Sequence, residues 1–407
     1  MKTGYYPNTK QVRVAVIGGG AAGLMAAEVA AENGASVCIF EAQRALGRKF
    51  LIAGKSGLNL SHQATPASFA QQYTGKDLPE TAWRQRLESF TTKNICDWAQ
   101  KLGIETFNSQ GGKIFPVGKK AAPLLKRWIE KLKSLSIGVH VNHRWIDFLP
   151  KRDTYQLEFE HAGASISLEV DAIIFAMGGA AWPQTGSDGN WVNCFQKKAI
   201  PLEPFAAANC GWQCTWKPET LACAEGQPLH HLKVCAGGRC EAGELMVTRY
   251  GLEGTPIYRL GPMLRNMDNV SIEINFKPVF TRQQILRKME SVRKNWYQEA
   301  QTRLKLSPAM CAIIRQFMPE IQDHASCLEA IQHCVIPLQS PRPIAEAIST
   351  AGGVAWPALN QDFQIQAFPN VYVAGEMMDW EAPSGGYLIH AAMMTGAIAG
   401  AAAAAKN

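Results

Sequence analysis

The chain has 407 residues, 47% of them hydrophobic and 18% charged, and a net charge of +7. That length allows two or three domains with full cores, and the composition excludes a disordered or fibrous chain. The mild basic excess suits anionic ligands such as phosphates, but a solvated basic face explains it equally well, so charge alone does not make nucleic acid an expected partner.

Residues 1–12 are polar and lack the apolar core of a signal peptide. The apolar run from Val14 to Glu28 is broken by four glycines and is too short to cross a bilayer. A soluble, cytoplasmic protein without a membrane partner is expected. Residues 12–17 (VRVAVI) have the unbroken apolar character of a buried parallel strand. An alanine-rich helix follows, stopped at Gly34, and residues 36–40 (SVCIF) form a second strand. Together they make a β-α-β unit. Helices are expected near 85–102 and 119–136, and strands over 137–148, 154–160 and 166–176.

From about residue 200 the pattern changes to short strands and tight turns, as in 244–249 (ELMVTR) and 270–276 (VSIEINF). Residues 281–335 look helical, with Ile285, Met289, Val292 and Trp296 at three- and four-residue steps. After Pro337 the chain returns to α/β character, with a strand over 371–374 and a helix from about Ser384 to the end. The expected fold is therefore α/β: a Rossmann-like domain from residues 1–195 and 338–407, interrupted by a β-rich module (196–280) and a small helical module (281–337).

The eleven cysteines contain no C-x-x-C pair and read as reduced thiols. Cys210, Cys214, Cys223, Cys235 and Cys240, with His230 and His231 between them, lack the short paired spacings of a zinc site, so no metal is expected.

The strongest motif is Gly18-Gly19-Gly20-Ala21-Ala22-Gly23, a G-x-G-x-x-G between strand and helix. Gly18 permits the tight turn, Gly20 lets backbone approach a pyrophosphate, and Gly23 lets helix and strand pack closely. The helix start offers unpaired N–H groups to phosphate, and Glu41 ends the second strand where a ribose diol would be held. This motif serves NAD and FAD alike. The choice comes from residues 369–400, which read strand, acidic turn, Gly-Gly and helix. There Glu376 suits a polyol chain, and a helix start at Ser384-Gly385-Gly386-Tyr387 suits the edge of a flavin ring.

Taken with VAVIGGGAAGLMAA, these segments and the stretches at 47–62, 111–121, 177–189, 243–254 and 349–360 span nearly the whole chain. They resemble the BaiN/YhiN-type NAD(P)/FAD-dependent oxidoreductase family, within the glutathione-reductase-like flavoprotein superfamily. The resemblance implies a tightly bound FAD in a domain interrupted by a β-barrel-like module and a small helical module. Gly18, Gly20, Ala21, Ala22 and Gly23 would hold its pyrophosphate, and Glu41 and Ala42 its adenosine ribose. Gly47, Arg48 and Lys49 would lie along the next phosphate-side loop. Trp145 stands where the family offers adenine a backbone contact from a valine. Ala176 and Gly178 would line the adenosine side. Gly375 and Glu376 would reach the pyrophosphate and ribityl chain, and Gly385, Gly386 and Tyr387 the isoalloxazine ring.

Many relatives carry G-G-G-R-C-N where this chain has Gly54-Lys55-Ser56-Gly57-Leu58-Asn59, which removes the basis for thiol chemistry there. The catalytic acid or base is not readable. Lys49, Lys55, Asn59 and His62 share a loop expected to face the flavin, His390 reads as a packed histidine, and Asp379, Trp380 and Glu381 suit either a pocket wall or an exposed loop. The leading expectation is an enzyme moving a hydride or electron pair between flavin and a small organic substrate. With one complete G-x-G-x-x-G, a transient NAD(P)H donor would dock without its own dinucleotide fold; otherwise substrate reduces the flavin and oxygen reoxidises it. The competing readings are a tRNA-modifying flavoprotein using the basic residues Arg282, Arg287, Lys288, Arg293 and Lys294, and a flavin-binding regulatory protein without turnover.

Overall fold

The computed structural model describes residues 13–405. The polar N-terminal dozen and the last two residues of the expected final helix lie outside the described residues. The chain divides into two compact units, one of residues 1–206 and 349–407, the other Ala207–Ile348.

The first unit is built on a five-stranded parallel sheet in the order Val371–Val373, Ala172–Phe175, Val14–Ile17, Val37–Glu41, Gly138–Val141. Val14, Ala15, Val16 and Ile17 are all buried, as a strand covered on both faces requires. Two of the expected strands are split by the structure. Residues 137–148 become Gly138–Val141 in the parallel sheet and Arg144–Pro150 in a separate antiparallel sheet. Residues 166–176 divide at Asp171 in the same way, into Ala164–Val170 and Ala172–Phe175. A continuous apolar stretch does not show where a strand changes partners. The expected helix over 85–102 is likewise two helices, Glu80–Ser89 and Thr92–Lys101, because Thr91 starts the second with a capping box.

The helix Ala21–Glu32 crosses the C-terminal helix Tyr387–Ala404 at close range. A Cβ at Gly396 would lie 2.2 Å from the carbonyl of Ala22, and one at Gly400 2.4 Å from that of Ala26. Small residues four apart let the two backbones touch. The C-terminal helix is, among the described residues, the one long and apolar enough to span a membrane, and 61% of it is buried in protein.

The second unit carries a six-stranded antiparallel sheet, with the helices of the same segment packed on it. Its strands and helices share one core, joining Val234, Ile272 and Ile336 to Ile285, Met289 and Leu328. From Ala207 onward the two expected inserted modules form a single compact unit that also takes in residues 338–348, while residues 196–206 belong to the first unit. Ile285, Met289, Val292 and Trp296 are all buried, but the helix Arg282–Met289 stops and a new one starts at Trp296 after Asn295, which has a left-handed backbone. Cys235 and Cys240 are directly opposed in a hairpin and joined by a disulfide, which corrects the expectation that every thiol is reduced.

One buried carboxylate ties the first unit together. Glu28, on the helix after the glycine turn, accepts hydrogen bonds from the indole N–H of Trp128 at 2.6 Å and of Trp98 at 3.3 Å. Burial, the largest influence, raises its pKa above the ordinary carboxylate range despite both indoles. A raised carboxylate pKa adds stability at low pH that is lost as pH climbs through the raised value. Glu28→Ala leaves two buried donors without an acceptor and should cost about 3 kcal/mol. Glu28→Gln keeps an acceptor and cannot ionise, so its melting temperature relative to wild type should be higher at pH 7 than at pH 4. Thermal unfolding followed by circular dichroism checks both; an alanine variant as stable as wild type removes the assigned role.

Candidate functional site

The glycine turn has two kinds of glycine. Gly18 has φ +106° and an added Cβ would sit 2.4 Å from the Ala176 carbonyl, while one at Gly23 would sit 1.9 Å from the Gly18 carbonyl. Both are required by the protein itself. Gly20 is different: φ is −81°, and an added Cβ would meet nothing within 4 Å. No intramolecular contact demands glycine there, and the open side of Gly20 faces a cleft. The helix behind it has no side-chain cap and no acidic residue in its first turn. Its first internal bond runs from the Leu24 N–H to the Gly20 carbonyl at 2.9 Å, so the amides of Ala21, Ala22 and Gly23 lie in the unpaired first turn.

The cleft has a volume of about 350 Å³, inside the range of roughly 300–1,000 Å³ for small-molecule sites. Of the expected cofactor residues, Gly18, Gly20, Glu41, Ala42, Gly47, Arg48, Lys49, Trp145, Ala176 and Gly178 all line it. Glu41 accepts the Gly19 N–H on one oxygen and the Gln43 N–H on the other, both at 2.7 Å. Burial raises its pKa, and the hydrogen bonds from Gln43 and Gly19 oppose the shift. Each oxygen keeps a lone pair for a further donor. Gly47, with φ +68°, donates to the Gly19 carbonyl at 2.8 Å and so ties the next loop to the glycine turn.

Two donors in this cleft are buried and have no partner: the indole N–H of Trp145 and the Nε of Arg48. Trp145 stands at a bulge in its strand, and its ring meets Phe175 edge-on at 4.8 Å. Its side chain, as well as its backbone position, therefore belongs to the wall. A buried donor left unpaired is costly, so orphan donors beside a cleft mark a place for a ligand's acceptors.

The remaining expected residues do not line that cleft. Ala22 and Gly375 are buried in the contact between the dinucleotide helix and the C-terminal segment, Gly23 is buried against Gly18 and Val16, and Ala21 is half-buried at the helix start. The Gly375 N–H donates to Thr395 Oγ1, and its carbonyl accepts from the Trp380 indole, both at 2.9 Å. Glu376 reaches the cleft's edge through Lys49, whose ammonium lies 2.7 Å from one carboxylate oxygen, while the Thr350 N–H donates to the other. Thr350 also accepts the amides of Ala180 and Ala181, a bracing role that the 349–360 stretch did not reveal in advance. Gly385 and Gly386 precede the C-terminal helix with left-handed backbones, and no side chain caps it. Tyr387 is buried, with its ring stacked on His62 at 5.2 Å. Asn59 Oδ1, buried and without a partner, lies beside Gly386.

Lys55 is exposed. His390 is packed, with Nδ1 bonded to Ser61 Oγ and Nε2 to the Phe90 carbonyl, each at 2.8 Å, and burial lowers its pKa to about 4. Asp379 and Trp380 are buried rather than exposed on a loop. Asp379 accepts the Lys76 N–H at 2.8 Å, and burial lifts its pKa to about 6.

The HI0933-like protein Rossmann-domain family model matches residues 12–402. The chain is 27% identical to a 3-dehydro-bile acid delta(4,6)-reductase of Clostridium scindens, over 97% of this chain and 99% of that protein. It is 22% identical to a ribosomal RNA dihydrouridine synthase of Haemophilus influenzae, over 64% of this chain and 63% of that protein. Among solved structures, a 3-ketosteroid-delta4-(5alpha)-dehydrogenase from Rhodococcus jostii is similar with a TM-score of 0.55, 14% identity and 97% of both chains covered. A 3-ketosteroid delta1-dehydrogenase from Sterolibacterium denitrificans gives a TM-score of 0.54 at 14% identity, over 98% of this chain and 100% of that one. At such identities these two speak for the fold alone. The chain belongs to the HI0933-like family, as an FAD-dependent oxidoreductase of that family.

Proposed function

We propose that the chain holds one FAD, its adenosine end along the cleft and its ring at the Gly385-Gly386 turn, and uses it to reduce a carbon–carbon double bond conjugated to a carbonyl, with NAD(P)H as donor. The observation that carries the cofactor's placement is Gly20, a glycine with ordinary backbone angles, no neighbour and an uncapped helix behind it. A phosphate group against that helix start accounts for all three features. The amides of Ala21, Ala22 and Gly23 hold the pyrophosphate, Glu41 accepts the ribose hydroxyls, and Trp145 and Arg48 give their free N–H groups to adenosine and phosphate acceptors. Lys49 and Glu376 hold the polyol chain between them. When bound, FAD supplies hydride transfer at its ring, and the two glycines let that ring approach the backbone at the helix start.

The reaction class is supported by the relative matched over nearly its whole length, whose name is that of a delta(4,6)-reductase. A second reading, reduction of a base within RNA, is favoured by the relative named a ribosomal RNA dihydrouridine synthase and by the exposed Arg282, Arg287, Lys288, Arg293 and Lys294.

Gly20→Glu sets a carboxylate where the phosphates lie, and should give folded, colourless protein with flavin affinity down by at least ~100-fold. Absorbance at the flavin band and the circular dichroism spectrum read this together; stoichiometric flavin in the variant refutes the placement. Reduced anaerobically and mixed with cyclic enones, the wild type should reoxidise at least ~10-fold faster than with the matching saturated ketones. Equal rates would sink the reaction class. Fast reoxidation by uridine-containing RNA alone would establish the second reading instead.

A further inference from the structure

We propose that the outward face of a small three-stranded sheet is the docking strip for a nicotinamide dinucleotide, the donor that reduces the flavin. This rests on the reading that the flavin ring lies at Gly385-Gly386. The sheet runs in the order Ser61–His62, Lys113–Pro116, Thr106–Asn108. Its register opposes His62 to Lys113 and Phe115 to Phe107. Opposed residues in an antiparallel pair share a face, as do residues two apart on one strand. His62, Lys113, Phe115 and Phe107 therefore form one row. The other face carries Ser61 and Ile114, both buried.

The row is not a core. Phe107 is 37% exposed, Lys113 is exposed and Phe115 is half-buried. The two phenyl rings stack at 5.8 Å between centroids, and the Lys119 ammonium stands 5.3 Å from one and 6.0 Å from the other. At the opposite end, His62 lies against Tyr387, and an added Cβ at Gly385 would be 4.0 Å from Lys113 Cε. Two strand spacings and a two-residue rise put the His62 and Phe107 positions about 12 Å apart.

A partly exposed aromatic shelf with the Lys119 ammonium over its rings and Lys113 in the same row matches a planar heterocycle carrying phosphates: the rings offer a face to the base, and the cations pair with the anion. A strip of that length, ending at the proposed flavin edge, suits a dinucleotide with adenine on the phenyl shelf, pyrophosphate along Lys113 and Lys119, and nicotinamide at His62. It also answers how a donor docks in a chain with one dinucleotide motif. Hydride leaves C4 of the dihydronicotinamide, which becomes the pyridinium. It passes to the oxidised flavin with one solvent proton, so no further reactant is needed.

The test pairs Phe107→Ser with Lys119→Glu in FAD-loaded protein, both residues exposed and outside the cofactor cleft. Calorimetric titration with NAD⁺ and NADP⁺ should show Kd raised at least ~10-fold for whichever nucleotide binds the wild type. Anaerobic stopped-flow should show the same rise in the NAD(P)H concentration for half-maximal flavin reduction, with the limiting rate within about twofold. Unchanged Kd in the variant overturns the strip while leaving the donor in place. Wild type that neither binds nor is reduced by either nucleotide, yet reduces enones after dithionite, overturns the strip and leaves the reaction class standing. Nucleotide binding weakened as expected, in protein that reduces no enone, supports the strip and rejects the proposed substrate class. A uridine oligonucleotide lost on substitution, with no dinucleotide binding, overturns the strip in favour of RNA.

Discussion

The close crossing of the dinucleotide helix and the C-terminal helix is the constraint on which the rest of the first unit depends. Gly396 and Gly400 lie on the backbone carbonyls of Ala22 and Ala26, where a single Cβ would overlap. That contact fixes two segments more than 350 residues apart in sequence. The helix behind Gly20 and the helix behind Gly386 then both start without a side-chain cap. Uncapped starts are normally filled by Ser, Thr, Asp or Asn. Under the proposed cofactor placement, a single bound molecule would supply acceptors to both of these starts. Its phosphates would meet the first helix, and the carbonyl edge of its ring the second.

The carboxylates around this frame are handled in three ways. Glu28 is buried far from the cleft and satisfied by indoles, so it serves packing. Glu41 is half-buried at the cleft and held by backbone amides, which fix its orientation and leave lone pairs free. Glu376 is the one of the three paired with a cation, and the structure braces its other oxygen through Thr350. An ion pair would hold Lys49 away from phosphate if it were rigid, but both side chains are partly exposed, 30% and 16%. At that exposure such a pair is worth little, so it does not oppose the proposed polyol site between them.

Much of this was legible in the sequence because local chemistry forces it. The run VAVI, the glycine turn and the acidic end of the second strand allow few other folds, and ten of the eighteen expected cofactor residues line one cleft. The misread parts depend on partners that sequence does not show. Strand 166–176 has the apolar pattern of one element, yet it changes sheets at Asp171. Trp145 was placed by analogy with a valine whose side chain would have no N–H to offer, so its orphan indole was invisible. Residues 207–337 have two textures, strand-like then helical, but one core, since texture follows local period whereas a core follows which faces meet. Cys235 and Cys240 are separated by a five-residue step, and nothing short of the hairpin register opposes them.

The proposed ring end has an electrostatic character that follows from His390. It lies in the first turn of the C-terminal helix, where the dipole is positive and a second cation would be disfavoured. Burial holds its pKa at about 4, and the hydrogen bond to the Phe90 carbonyl does not restore it. At neutral pH this histidine is therefore uncharged, with Nε2–H donating to Phe90 and Nδ1 accepting from Ser61. The positive potential at the helix start then comes from fixed backbone dipoles rather than from a titrating side chain at that position. A field of that kind stays constant across the physiological range and needs no reorganisation when negative charge arrives.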